Sequence, residues 1–152
     1  MKKLIPLVAL VAALFALPAL AADPVVGTWT LNTAKSKFAS GNELKSGTRT
    51  YTESNGTYTL EQKLTGADGK ETPMSVTYKD GEDQKMSAGT LTAIHAKKVN
   101  DRTWNFDLMK DGKAVGHVHR TVSADGKTLT VHNTGMGPNG KSGDETLVFD
   151  RQ

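Results

Sequence analysis

Hydrophobic and polar residues alternate with a period of two along most of the chain after residue 25. The alternation is clearest at 57–65 and recurs at 103–110 and 144–151. It is typical of β-strands that have one buried face and one solvated face. In the first of these segments the more apolar face carries Tyr58, Leu60, Gln62 and Leu64.

Nine segments follow this pattern, and turn signals separate many of them. Asn-Gly or Asp-Gly dipeptides, which tolerate the positive φ angles of hairpin turns, occur at 55–56, 68–69, 80–81, 111–112 and 125–126. Only residues 33–40 look irregular or briefly helical. The predicted strands are 26–32, 46–54, 57–65, 71–79, 90–99, 103–110, 113–123, 127–134 and 144–151.

Eight or nine consecutive antiparallel strands fit either a sandwich or an up-and-down barrel. The short hairpin loops favour the all-β, single antiparallel up-and-down β-barrel of 8–9 strands, and closure would remove the exposed edges. A barrel of this strand number has room for side chains or for one small ligand. We therefore expect one barrel domain over residues 22–152.

Residues 1–21 differ from the rest and predict a signal peptide. Two lysines precede an apolar run at 4–17, and small residues follow at 19–21, which is the order of a cleavable bacterial leader. The segment 4–22 is short for a membrane anchor and carries Pro6 and Pro18. We expect no stable membrane insertion after cleavage, and a soluble periplasmic or secreted bacterial protein.

The charge limits the binding partners expected for the domain, and the cysteine content limits its covalent modifications. The chain has 19 basic and 16 acidic residues, and two of the basic ones, Lys2 and Lys3, lie in the predicted leader. The remaining domain is close to neutral, so its net charge predicts no electrostatic attraction to nucleic acid or to an anionic membrane surface. With no cysteine, the chain forms no disulfide and carries no lipid attachment site after the leader.

Several short segments carry a resemblance to a known family. Gly27-Thr28-Trp29 resembles the Gly-x-Trp signature of lipocalins and other calycins. The ordered set of 27–32, 34–38, 125–131 and 147–152 is similar to a family of small exported bacterial lipocalin-like proteins, mostly uncharacterised. The resemblance implies a calycin-like barrel, and it implies no catalytic residue and no cofactor.

The same resemblance implies one structural contact. In calycins an arginine from a late strand packs over the tryptophan of the signature at the closed end of the barrel. Arg151 is the candidate to cover Trp29. A cation–π contact of this kind contributes on the order of 1 kcal/mol.

The glycine-rich segment 135–142 satisfies the pattern of a phosphate-binding loop, G-x-x-x-x-G-K-S. Such a loop binds phosphate when it opens a helix, because the N-terminal amides of the helix meet the anion. Here a predicted strand at 144–151 follows instead. We interpret the segment as a loop that joins the last two strands.

Three histidines raise the question of a metal site. His117 and His119 share one face of a strand, and a two-residue turn at 125–126 would place His132 opposite His119, a geometry suited to Zn²⁺ or Cu²⁺. A bulged turn would shift the register and turn His132 to the other face. The first register also leaves the histidines facing water. We therefore assign no metal and keep this trio as the alternative; the remaining His95 is not placed.

Arg120 is the most informative candidate for ligand binding. It has the same strand parity as Val118 and Val122 and is therefore expected to point into the barrel. An interior arginine is costly unless paired, and the carboxylate of a fatty-acid-like ligand could pair with it; an internal acid or exposure at the rim are the alternatives. The aromatic residues expected to line a pocket are Tyr51, Tyr58, Trp104 and Phe106.

The sequence shows no catalytic constellation. It has no cysteine nucleophile, no G-x-S-x-G turn and no H-E-x-x-H pair. The leading hypothesis is a non-enzymatic, exported binding protein that holds a small apolar or amphipathic ligand. The alternative is an envelope protein-interaction or inhibitor module that uses the barrel exterior and the loop at 135–143.

Overall fold

The computed structural model describes residues 22–152, which form one antiparallel sheet of ten strands. The predicted signal peptide at 1–21 lies outside the described residues. Over 22–152, no helix is long and apolar enough to cross a membrane. The strands are β1 Gly27–Leu31, β2 Leu44–Ser54, β3 Thr57–Gly66, β4 Glu71–Tyr78, β5 Asp83–Ala88, β6 Leu91–Asn100, β7 Thr103–Lys110, β8 Lys113–Val122, β9 Thr128–Met136 and β10 Ser142–Arg151.

The sheet curls into a nearly closed barrel. Its strand order is β4-β3-β2-β1-β10-β9-β8-β7-β6-β5, so sequence neighbours pair throughout and β1 joins β10. This order confirms the all-β antiparallel up-and-down barrel. The expected complete closure is wrong, because no ladder joins the two edge strands β4 and β5 in the described sheet.

The predicted count of eight or nine strands is also wrong, because β5 was missed. Its sequence, Asp-Gln-Lys-Met-Ser-Ala, contains no β-branched or aromatic residue. The strand pairs only with β6, and its register shifts between Lys85 and Ala88. A polar edge strand needs little apolar patterning and resists pairing with other chains. The segment 33–40 is irregular as predicted, with turns and one bridge between Lys37 and Thr146.

Hairpin turns set the register of the strands. Asn55 and Asp111 have φ of 51° and 50°, and the glycine after each is also positive, as a two-residue turn with primed geometry requires. The turn at 125–126 is wider, since Ser123 N–H donates to Thr128 O at 2.8 Å around a four-residue loop. Because this loop also has an even number of residues, the two strands face each other as they would around a two-residue turn. His119 therefore lies opposite His132.

Trp29 fills the closed end of the barrel. Its side chain has no solvent exposure, and its indole N–H donates to Val25 O at 2.8 Å. The Arg151 Cζ lies 4.2 Å from the ring centroid of Trp29. The same guanidinium donates to the carbonyls of Val26 at 2.9 Å and Gly126 at 2.6 Å, and to that of Pro24. The arginine therefore connects the Trp29 ring to the first described residues and to the hairpin turn at 125–126.

A second contact fixes the chain ahead of β1. Asp23 accepts hydrogen bonds from Tyr58 Oη at 2.7 Å, Val25 N–H at 3.1 Å and Lys98 Nζ at 3.2 Å. Burial would raise the pKa of Asp23, but these donors and the lysine charge outweigh burial and lower it below its ordinary value of 3.8. Burial and the same carboxylate raise the pKa of Tyr58 to about 12. Asp23 is therefore an anion and Tyr58 a neutral donor at neutral pH.

Replacing Asp23 with asparagine should lower the free energy of unfolding by about 1 kcal/mol at pH 7. Since the folded-state pKa is lowered, the carboxylate stabilises the fold fully above pH 3.8, and this is lost as the pH falls through the folded-state pKa. Urea unfolding at pH 7 and pH 3 should show the difference between wild type and Asp23→Asn shrinking in acid. Asp101→Asn, which removes an exposed partner of the same Lys98, should cost little at either pH; a pH-independent loss in Asp23→Asn would contradict the assignment.

Candidate functional site

The barrel encloses a cavity of about 890 Å³ that reaches one end of the barrel. Its wall is mainly apolar, with leucine, methionine, isoleucine and valine side chains from β3, β4, β6, β7 and β10. Four loops surround the open end, at 41–43, 66–70, 89–90 and 137–141. A pocket of this size and composition is typical of a site for one small organic ligand.

Arg120 lies at the inner end of this cavity and is only 2% exposed. Its Cζ lies 4.9 to 5.6 Å from the centroids of four rings, which we call the aromatic cage: Tyr51, Tyr78, Trp104 and Phe106. Each such contact stabilises a cation through the negative face of the ring. The cage accounts for how the barrel holds a buried arginine.

The cage does not supply an anion. Arg120 Nη1 donates to Tyr78 Oη at 2.5 Å, but burial raises the pKa of Tyr78 to about 12, so the phenol is neutral at neutral pH. Arg120 Nε and Nη2 are buried and have no hydrogen-bond partner within residues 22–152. Within residues 22–152, no carboxylate pairs with this guanidinium. The guanidinium is therefore a buried cation, and two of its donor nitrogens have no partner among the described residues.

The aromatic residues proposed from the sequence divide into two groups. Tyr51 and Phe106 line the cavity with Arg120. Tyr58 and Trp104 do not line it, so their expected place in the pocket wall is corrected: they lie nearer the closed end. Trp104 is one of the four cage rings, and Tyr58 stacks on Tyr78 at 5.4 Å and meets Trp104 edge-on at 5.0 Å, so Tyr58 packs against two rings of the cage.

Two functional candidates were missed in the sequence. Arg49 on β2 is 8% exposed and lines the cavity; its Nη1 donates to Tyr51 Oη at 3.3 Å and its Cζ lies 4.8 Å from the Phe149 ring centroid. Tyr78, the partner of Arg120, is the other. Arg49 has the same strand parity as Tyr51, and this signal would have placed it inside the barrel.

The glycine-rich segment lies at the open end of the cavity. It joins β9 to β10 through a turn in which Gly137 N–H donates to Lys141 O at 2.9 Å, and no helix follows, which confirms the interpretation as a strand connection. Lys141 Nζ donates to Gly41 O at 2.9 Å and Asn139 Nδ2 to Asn42 Oδ1 at 3.1 Å. These contacts hold two of the loops around the cavity mouth together.

The three strand histidines lie on the outer face of the sheet. A groove of about 280 Å³ is lined in part by His117, His119 and His132. Each ring is hydrogen-bonded to a neighbouring strand: His117 to Asp107 at 2.7 Å, His119 to Asn105 at 2.7 Å and His132 to Asp144 at 2.8 Å.

These hydrogen bonds direct the rings toward different partners. In the described part of the chain, no three histidine, aspartate or glutamate side chains are grouped so as to hold a metal ion. His95 lies on another strand and bonds Asp83 at 2.6 Å.

Comparison with solved structures identifies the fold. Wild-type fluorescent protein UnaG matches with a TM-score of 0.63 at 16% identity, over 84% of this chain and 96% of that chain. A Schistosoma mansoni fatty acid binding protein in complex with arachidonic acid matches with a TM-score of 0.61 at 19% identity, over 85% and 96%. As-p18, an extracellular fatty acid binding protein, gives 0.57 at 14% identity, over 86% and 97%.

The fold is a calycin-type barrel, as in fatty-acid-binding proteins. No protein-family model matches the chain, and no curated protein matches it in sequence. At these identities the likeness concerns the fold alone, because one fold hosts many functions. The case for function therefore depends on the cavity and its side chains.

Proposed function

We propose that this protein binds a small amphipathic molecule with an anionic head group, of the fatty-acid type, inside the barrel. The apolar wall would take the hydrocarbon part, and Arg120 would take the carboxylate. The observation that carries the proposal is the buried Arg120 guanidinium at the inner end of an apolar cavity, where no described residue supplies an anion.

The unpaired charge of Arg120 supports the proposal through its electrostatic cost. A guanidinium remains protonated in proteins, and a buried charge without a counter-ion is destabilising. A carboxylate can accept two hydrogen bonds from one edge of a guanidinium, and Nε and Nη2 of Arg120, which lack partners, form such an edge. The ligand would then supply the charge that the barrel lacks.

The packing of the cage adds a mechanical condition. Arg120 Nε and Nη2 have no contact with solvent, so a carboxylate reaches them only if an aromatic ring moves. Phe106 and Tyr51 line the cavity and lie directly over the guanidinium. Because Trp104 stacks on Phe106 at 6.0 Å, ligand entry should change the Trp104 fluorescence.

Among the matched structures, two are fatty acid binding proteins by name, and one of these is in complex with arachidonic acid. Their names support the ligand class without establishing it for this chain. We propose a carrier and not an enzyme, because the cavity offers a cation, phenols and apolar groups for binding.

Delipidated protein should bind hexadecanoic acid at least tenfold more tightly than 1-hexadecanol, because only the acid offers an anion to Arg120. Calorimetric titration and the change in tryptophan fluorescence would both measure the difference. Equal affinity for the acid and the alcohol would remove the anionic head group from the proposal. Failure of both to bind would overturn the proposal and favour an interaction module that uses the barrel exterior and the loop at 135–143.

We also propose that the protein is exported by a bacterial cell, on the strength of the charged, apolar and small-residue order of residues 1–21 and the resemblance to exported lipocalin-like proteins. After expression of the full chain in bacteria, intact-mass measurement of the periplasmic fraction should give a chain that starts at Ala22. Recovery of the uncut chain from the cytosol alone would contradict export. Native mass spectrometry of the same sample would show a retained ligand directly.

A further inference from the structure

A second polar pair lies in the cavity, away from the groups that hold Arg120. Arg49 on β2 and Gln62 on β3 are directly opposite each other in the sheet, and both line the cavity. Arg49 Nε and Gln62 Oε1 are both buried, and neither has a hydrogen-bond partner in the part of the chain that the structure describes. One free donor and one free acceptor therefore lie on neighbouring strands.

The surroundings of this pair are apolar. Leu60 and Leu64 precede and follow Gln62 on the same face of β3, and Met74 is opposite it on β4. A buried donor or acceptor without a partner costs free energy, because it has lost its bonds to water. Both atoms are as buried as the free nitrogens of Arg120, so a ligand reaches them only when a neighbouring side chain moves, and a ligand group that then contacts both atoms would satisfy both.

The chemistry of the pair distinguishes between occupants. A hydroxyl group donates one hydrogen bond and accepts others, so one hydroxyl can donate to Gln62 Oε1 and accept from Arg49 Nε. A methylene group satisfies neither atom. A second carboxylate accepts from Arg49 but presents another acceptor to Gln62 Oε1.

The pair is separate from the head-group position. Tyr51 lies between the two arginines: its Oη accepts from Arg49 Nη1 at 3.3 Å, and its ring centroid is 4.9 Å from Arg120 Cζ. A ligand whose carboxylate is at Arg120 would therefore pass the Arg49–Gln62 pair with a later part of its chain.

We propose that the Arg49–Gln62 pair recognises a hydroxyl group on the hydrocarbon chain, so that the preferred ligands are hydroxylated acyl carboxylates. This inference rests on the proposed function, because it takes the carboxylate to be at Arg120. It adds a specificity that the apolar wall and a single arginine do not supply. A site that hydrogen-bonds a ligand hydroxyl discriminates against the analogue that lacks it.

The test uses hexadecanoic acid and a series of monohydroxyhexadecanoic acids that differ in the position of the hydroxyl. At least one isomer should bind the delipidated wild-type protein about fivefold more tightly than the parent acid, as one added hydrogen bond allows. If the parent acid binds and every isomer binds equally or more weakly, the inference is wrong and the proposed function stands. If no acid binds, both are overturned.

Gln62→Leu removes the acceptor and keeps the volume of the side chain close to that of glutamine. It should abolish the advantage of the preferred hydroxy acid over hexadecanoic acid when both affinities are measured on the same variant. Gln84→Leu, the same change outside the cavity wall, should leave both affinities unchanged. An equal loss for the two ligands in Gln62→Leu would refute hydroxyl recognition. Gln62→Met, which also lacks the acceptor, gives the same comparison if the leucine variant does not fold.

Discussion

Replacing Trp29 with alanine should lower the free energy of unfolding by about 3–5 kcal/mol, the usual cost of emptying a buried tryptophan site. Trp29 has no solvent exposure and does not line the cavity, so no ligand compensates for its loss. The substitution also removes the hydrogen bond to Val25 O and the ring under Arg151. The loss should therefore be the same with and without ligand.

Urea unfolding followed by the fluorescence of the remaining tryptophan, Trp104, would measure this loss. Val99→Ala, at an exposed valine, is the control and should stay within about 0.5 kcal/mol of wild type. Arg151→Met leaves the indole in place and removes the cation–π contact together with the three hydrogen bonds of the guanidinium, so it should cost about 1–3 kcal/mol and less than Trp29→Ala. A Trp29→Ala midpoint within error of wild type would refute the structural role of Trp29.

Local patterns predicted most of the fold because each strand has one buried face. The alternation at 57–65 corresponds to β3, Thr57–Gly66, and the Asn-Gly and Asp-Gly turns at 55–56 and 111–112 have the expected positive φ. β5 lacks this signal, because it is an edge strand next to the gap between β4 and β5 and has few side chains to bury. Incomplete closure could not be predicted for the same reason.

The candidate site was harder to predict because it depends on contacts across the barrel. Strand parity is local, and it was sufficient to point Arg120 inward. The position of a side chain along the barrel axis depends on contacts between distant residues. Tyr58 and Trp104 have the right parity but lie beneath the cavity, where Tyr58 contacts Asp23 and Trp104 contacts Lys98. The pairing of Arg120 with Tyr78 joins residues 42 positions apart, and no short pattern reports it.

The contacts of Arg120 determine what its removal should do to the stability of the fold. An unpaired buried charge is destabilising, but Arg120 contacts four rings and bonds Tyr78 Oη. Arg120→Leu loses these stabilising contacts, which lowers the free energy of unfolding. It also removes a destabilising buried charge, which raises the free energy of unfolding. We therefore expect the free energy of unfolding of the empty barrel to change by no more than about 1 kcal/mol, since the two effects are of similar size. A folded variant is thus available for binding measurements.

Arg120→Leu should weaken the binding of hexadecanoic acid by about 10- to 100-fold, since a hydrogen bond to a charged group in a buried site contributes about 1.5–3 kcal/mol. The affinity for 1-hexadecanol should stay nearly unchanged, because the alcohol offers no anion to the guanidinium. Arg102→Leu, at an exposed arginine outside the cavity, should affect neither ligand. Calorimetric titration of the two ligands against the three proteins measures all six affinities. If Arg120→Leu weakens the acid and the alcohol equally, Arg120 shapes the cavity through its aromatic cage and does not bind the head group.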